Sequence, residues 1–151
     1  MKRTYVFLAV GLAGAAIATT AASAQSSHAI AHPRRTATVQ LHHTALGKIL
    51  VSSSGRTLYR FTRDHGKKNT CAPVSGCSGV WPALKSSGKP KAGAGVKASL
   101  LSTTSGGQVT YAAHPLYTYS GDSGPGQTGY VGATEFGGTW YAVNASGGTV
   151  K

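Results

Sequence analysis

Hydrophobic and polar positions alternate with a period of two in short runs along this chain, and no stretch holds an amphipathic helical period of useful length. In residues 58–62, Leu-Tyr-Arg-Phe-Thr, Tyr59 and Phe61 fall on one face and Leu58, Arg60 and Thr62 on the other. A helix would set Tyr59 and Phe61 about 200° apart, so their shared face needs a strand. Residues 116–120, Leu-Tyr-Thr-Tyr-Ser, repeat the pattern, with Tyr117 and Tyr119 on one side and Leu116, Thr118 and Ser120 on the other. The alternation predicts aromatic rings packed inward and the intervening residues turned outward.

The same reading places the other elements. Val39-Gln40-Leu41 and the β-branched run 48–51 are strands. Ser52-Ser53-Ser54-Gly55 is turn chemistry and predicts a hairpin into a strand over 56–62. After Asp64 the chain turns into a loop holding Cys71, Pro73, Gly76 and Cys77, and residues 79–84 return to apolar character. Residues 85–97, rich in Gly, Ala, Ser and Lys, read as a linker or long exposed loop. Only residues 97–101 have the makings of a helical turn. Residues 108–112 form the next strand, His114-Pro115 a break, and residues 124–138 a glycine-laden loop. Residues 138–143 form a strand, 144–148 a turn, and Thr149-Val150 can pair back.

The chain also repeats itself. Leu-Tyr-x-aromatic-x-x-Asp-x-Gly begins at Leu58 and again at Leu116, 58 positions later. Gly138-Thr139-Trp140 answers Gly79-Val80-Trp81 at a displacement of 59. One unit of about 50 residues is too small to bury its aromatics alone. Two units packed about a pseudo-twofold would bury them together. The expected fold is all-β, a small sandwich or open barrel of two pseudo-symmetric repeats with long Gly-rich loops. Repeat one covers about 39–84, the linker 85–97 and repeat two about 98–151, all in one domain.

The N-terminus changes the compartment. Met1-Lys2-Arg3, an apolar run from Tyr5 to about Ala18, and Ala22-Ser23-Ala24 make a secretory signal peptide, with cleavage expected after Ala24. No later segment is long and apolar enough to span a bilayer. Residues 25–38 are polar, hold His28 and His32, and read as a flexible lead-in. In an exported protein the even, close pair Cys71 and Cys77 is expected to be oxidised. The formal charge of the whole chain is +12. Without Lys2 and Arg3, 13 of the 15 basic residues remain against three acids, which leaves +10. This balance attracts anionic wall polymer or acidic polysaccharide, and export argues against a specific nucleic-acid partner.

Candidate chemistry is sparse. Two of the three acids, Asp64 and Asp122, occupy the same motif position. In one reading each ends a strand as an Asx-type turn, with Gly66 and Gly124 at positive φ. In the other the carboxylates meet across the pseudo-twofold, to bind a cation or to serve a hydrolase as acid and base. Tyr59, Phe61, Trp81, Tyr117, Tyr119 and Trp140 either form a core or line a stacking groove, with Arg60 to hold an acidic group. His42, His43, His65 and His114 lack metal-ligand spacing, although a metal- or redox-cofactor protein is an alternative reading. No cofactor, metal ligand or catalytic residue is assigned. G-x-S-x-G, P-loop, Rossmann and C-x-x-C patterns are all missing. The leading expectation is an exported, basic, non-enzymatic binding module of the cell envelope.

At the motif residues the chain resembles a bacterial secreted-repeat family of lipoproteins and exported proteins, named for Tyr-x-(Phe/Trp/Tyr)-x-x-Asp. The match is Tyr59-x-Phe61-x-x-Asp64 and Tyr117-x-Tyr119-x-x-Asp122. Gly55-Arg56-Thr57-Leu58 is similar to its Gly-x-Thr-Leu lead, and Cys71, Cys77 and Trp81-Pro82 to its cysteine pair and Trp-Pro segment. The resemblance implies an extracytoplasmic location and a family of unknown function, from which no catalytic residue carries over. The chain departs from the pattern in lacking a lipobox cysteine, in a longer cysteine loop, and in Ala83 where a second Pro is usual.

Overall fold

A computed structural model describes residues 35–151. The expected leader, its expected cleavage point and most of the expected lead-in lie outside the described residues. The architecture is all-β, with several short sheets wrapped around an aliphatic and an aromatic core and a smaller third cluster.

The first hairpin joins β1 (Thr38–Thr44) to β2 (Gly47–Ser52), in register from Val39↔Ser52 to Thr44↔Gly47. The turn is therefore at Ala45-Leu46, not at residues 52–55 as the Ser/Gly cluster suggested. The Ser52–Gly55 segment does bend the chain back, since the Ser52 amide donates to Arg56 O at 2.8 Å. The strand it leads to pairs with β2 only at Val51↔Thr57. Every residue from Ile49 to Ser52 is buried. Leu50 joins an aliphatic core with Val39, Leu58, Val109, Tyr111, Leu116 and Val143. Ile49 and Val51 point the other way, onto Ala142. A continuous apolar run suits a strand covered on both faces.

The motif strand β3 (Tyr59–Phe61) belongs to another sheet. It pairs antiparallel with β9 (Gly138–Val143), placing Phe61 opposite Trp140, and β10 (Thr149–Val150) closes the far edge. A short strand, β8 (Thr134–Glu135), also pairs with β9. A third sheet is the meander β5 (Leu101–Thr103), β6 (Val109–Tyr111) and β7 (His114–Pro115). Its two-residue turn holds Ala112 and Ala113 at φ +48° and +62°. That left-handed pair matches the twist of the flanking strands but is costly for residues with a Cβ. Two short helical turns, Cys77–Val80 and the 3₁₀ segment Ala98–Leu100, complete the elements.

Residues 85–97 are tied into the domain more firmly than a linker would be. β4 (Lys91–Ala92) runs parallel to β1, and Ser86 and Val96 are buried. Leu58 and Leu116, placed outward by alternation, are fully buried. The motif strand is a wall between two cores: its leucine faces the aliphatic one and its rings face an aromatic one.

The aromatic core is built across the repeats. Trp81 and Trp140 stack in parallel, with centroids 4.0 Å apart and planes 2° apart. Phe61 stacks on the far face of Trp140 at 4.1 Å, and Tyr119 packs on Trp81 at 4.8 Å. Tyr59 meets Trp81 edge-on and Tyr117 meets Trp140 edge-on. Each motif strand hydrogen-bonds to the tryptophan segment of the other repeat: the Thr62 amide donates to Thr139 O and the Ser120 amide to Val80 O. Tyr59 and Tyr117 bond reciprocally, amide to carbonyl, at 2.9 Å each way. The repeats are thus exchanged rather than docked. The Cys71–Cys77 disulfide packs against this core.

Two expectations follow. Fragments 35–97 and 98–151, each alone, will show no near-ultraviolet circular dichroism from ordered tryptophan, because each lacks half of the stack; mixing them is expected to restore it. Replacing Cys71 and Cys77 together by Ser is expected to cost about 2 kcal/mol in denaturant unfolding, the loop-closure value for so short a loop.

Candidate functional site

The two motif aspartates sit at the same turn. Asp64 N donates to Phe61 O and Asp122 N to Tyr119 O, so each follows its aromatic strand residue by the same backbone turn. Both are nearly enclosed, Asp64 at 5% and Asp122 at 3% exposure. Gly66 takes the positive φ expected, +56°, but Gly124 does not. Gly126 does so instead, at +65°, and a Cβ there would collide with the His42 ring.

Beyond the turn their surroundings differ. Asp64 Oδ1 accepts from the Thr70 amide at 2.8 Å and the Thr70 hydroxyl at 2.9 Å. Its Oδ2 accepts from the Tyr117 hydroxyl at 2.8 Å, a bond from the opposite repeat. Burial, then that hydrogen bond and the carboxylate charge, raise the Tyr117 phenol well above its ordinary range. Burial, then the neighbouring Asp122 carboxylate, raise the phenol of the pseudo-equivalent tyrosine, Tyr59, too. Tyr59 nevertheless gives its hydroxyl proton to Gln127 O at 3.3 Å, and Asp122 Oδ2 has no hydrogen-bond partner. Burial pushes the Asp122 carboxyl up, against relief from Tyr59 and the Arg56 charge. The cysteine-side loop supplies Thr70 to Asp64; the glycine-side loop supplies no equivalent to Asp122.

The remaining candidates are placed plainly. Tyr59, Phe61, Trp81, Tyr117 and Trp140 are fully buried and face one another. Tyr119 is 9% exposed, and its ring packs at 3.7 Å on that of Tyr130, an exposed aromatic that the sequence reading passed over. The neighbouring Tyr130 phenol, then burial, pushes Tyr119 up to about 12. Arg60 is half-buried near Asp64 and His114, with its Nε unpartnered. Burial and the Arg60 charge lower the His114 imidazole, and Asp64 opposes them. His42 and His43 lie instead on β1, opposite Ile49 and Lys48. Among the described residues, no three His, Cys, Asp or Glu side chains converge as a metal site.

Charge is sorted by depth. Glu135, the third acid, accepts from the Trp81 indole N–H at 3.1 Å. All three acidic side chains are thus committed to the aromatic core and its turns. Arg56, Arg60, Arg63 and Lys85 donate to backbone carbonyls, and Lys67 to the Ser102 hydroxyl. The outer surface is left strongly positive.

The repeated unit decides the family. The model of a secreted repeat of unknown function matches residues 41–85 and again residues 100–144. The chain belongs to this secreted-repeat family. Membership supports an extracytoplasmic location. Each matched span holds one motif strand and one tryptophan segment, the two pieces that the secreted repeats exchange here. Comparisons with curated proteins and with solved structures gave no match. Among the described residues no helix is long and apolar enough to cross a membrane.

The asymmetry of the two aspartates gives opposite expectations for one substitution. Asp64→Asn is expected to lower stability by about 1–3 kcal/mol, the range for weakening buried bonds to a charged acceptor. Asp122→Asn is expected to leave stability unchanged or raise it at pH 7, because the burial of the ionised carboxyl outweighs the help it gets from Tyr59 and the Arg56 charge. A carboxyl raised in the folded state favours folding while protonated, and that contribution is lost as pH rises through its folded value. The gain from Asp122→Asn should therefore be larger at pH 7 than at pH 3, read as the melting-temperature difference from wild type.

Proposed function

We propose that this secreted repeat is a non-enzymatic module that holds anionic cell-envelope polymer against its positive surface. One observation carries the reading. In a chain of +12 formal charge, Asp64 and Asp122 are buried and Glu135 is half-buried on the Trp81 indole, while every described lysine and the arginines Arg35 and Arg63 are exposed. Such a surface concentrates polyanions through a long-range field that salt weakens. An extracytoplasmic location places wall polymers and acidic polysaccharides within reach. The aromatic rings contribute as the rigid core that holds the basic surface in place.

The test is co-sedimentation with purified anionic wall polymer between about 0.01 M and 0.5 M salt, a span over which the screening length falls from about 30 Å to below 8 Å. Binding that declines steadily with salt is expected. No binding at the lowest salt, or binding indifferent to salt, would remove the electrostatic basis.

A further inference from the structure

The positive surface is not uniform, and one part of it is shaped. Two concavities, of about 480 Å³ and 380 Å³, share Arg35 and Lys85 in their walls. The first adds Lys91 and the hydroxyl residues Thr36, Thr38, Ser52 and Ser53; the second adds Ser86, Ser87 and the backbone at Gly106 and Gly107. Their shared wall makes them one groove with two seats.

The groove floor is fixed by the fold. The Lys91 amide donates to Ala37 O at 2.9 Å, and the Ser87 amide to Arg35 O at 3.3 Å. The buried Ser86 hydroxyl accepts from the Ala37 amide at 3.0 Å and donates to Gly88 O at 2.8 Å. These bonds tie the chain entering β1 to residues 85–91 and bring Arg35, Lys85 and Lys91 to one face. Lys85 is held by a bond to Gly106 O at 3.0 Å, whereas Arg35 and Lys91 make no side-chain hydrogen bond among the described residues. No carboxylate lines either seat. Three cations gathered without a counter-charge repel one another, and an anion placed between them relieves that repulsion. Guanidinium and ammonium groups suit phosphate or carboxylate, and the serine and threonine hydroxyls suit the alcohol groups of a sugar or polyol.

We infer that this groove seats a linear, polyhydroxylated polyanion, with successive anionic groups in its two halves. The inference rests on the proposed envelope-polymer function and adds a location and a ligand class. Its chemistry is shared by polyol-phosphate and polyuronate chains, so the test uses both as short defined oligomers, with anionic phospholipid vesicles as a third arm.

Two variants of equal charge are compared with wild type at low salt. One is Arg35→Glu/Lys85→Glu/Lys91→Glu in the groove, and the other is Lys68→Glu/Lys97→Glu/Lys151→Glu elsewhere on the surface. All six side chains are exposed, so reversal leaves the cores intact; tryptophan fluorescence checks this. The groove variant is expected to lose affinity for the oligomers about tenfold or more, and the control only about twofold to threefold. Titration with the preferred oligomer is expected to shift the amide resonances of Ser52, Ser53, Ser86, Ser87 and Lys91. The stronger of the two oligomers identifies the anion. Equal loss in both variants, or binding to vesicles alone, would overturn the groove; with equal loss the envelope-binding function stands on diffuse charge. Wild type that binds neither oligomer nor whole polymer would overturn both.

Discussion

The structure depends on a reciprocal exchange of backbone bonds at its centre. Tyr59 and Tyr117 each give an amide to the other's carbonyl, and each motif strand continues onto the tryptophan segment of the opposite repeat. The backbone pairing sets the side chains: Phe61 is carried onto Trp140, Tyr119 onto Trp81, and the two indoles meet face to face. Large rings so placed supply most of the volume of a core poor in leucine, and truncating either tryptophan would remove contacts on both its faces. Neither repeat can complete this arrangement from its own residues. The duplication is therefore part of the folding unit itself.

The exchange also governs polarity. Because the rings are enclosed, their polar atoms need partners inside. Asp64 serves the Tyr117 hydroxyl and Glu135 the Trp81 indole. Asp64 and Glu135 are drawn to the core to meet these needs, and the described lysines remain exposed on loops and strand edges. Solubility and polyanion attraction thus come from the same division of charge. The symmetry is incomplete where the loops differ. The disulfide loop brings Thr70 to Asp64, but Asp122 Oδ2 and the Trp140 indole nitrogen are left without partners. A buried polar atom without a partner lowers stability, which makes the second repeat the weaker half of the turn network.

Much of this was legible in the sequence. The period-two alternation gave the first motif strand, while the second copy pairs only through bridges at Tyr117; the spacing of 58 to 59 residues gave the duplication and the two-repeat all-β fold. The D-x-G pattern gave the first turn with Gly66 at positive φ, but not the second, where Gly126 takes that conformation in place of Gly124; the cysteine pair gave the disulfide. What escaped has physical causes. Alternation cannot say whether the second face of a strand meets water or a second core, so Leu58 and Leu116 read as outward. The Ala112-Ala113 turn carries none of the Asn or Gly chemistry that marks a primed turn. Residues 85–97 have linker composition, yet their backbone pairs with β1 and the entry chain, and backbone pairing leaves little trace in side-chain identity. That pairing is also what brings Arg35 beside Lys85 and Lys91, so the groove was hidden although each of its cations was visible. Nor can a single sequence reveal that repeats exchange strands, since docked and exchanged repeats bury the same residues.

The most direct measurement is native-state amide hydrogen exchange across the swap. The amides of Tyr59, Thr62, Tyr117 and Ser120, all bonded between repeats, are expected to open only with global unfolding and to share its free energy. They are also expected to be protected as well as the amides of the β1–β2 and β5–β6 ladders within each repeat. If the inter-repeat amides exchanged through a much easier opening while those ladders stayed closed, the repeats would be separately stable units, and the shared aromatic core would not be what holds the fold together.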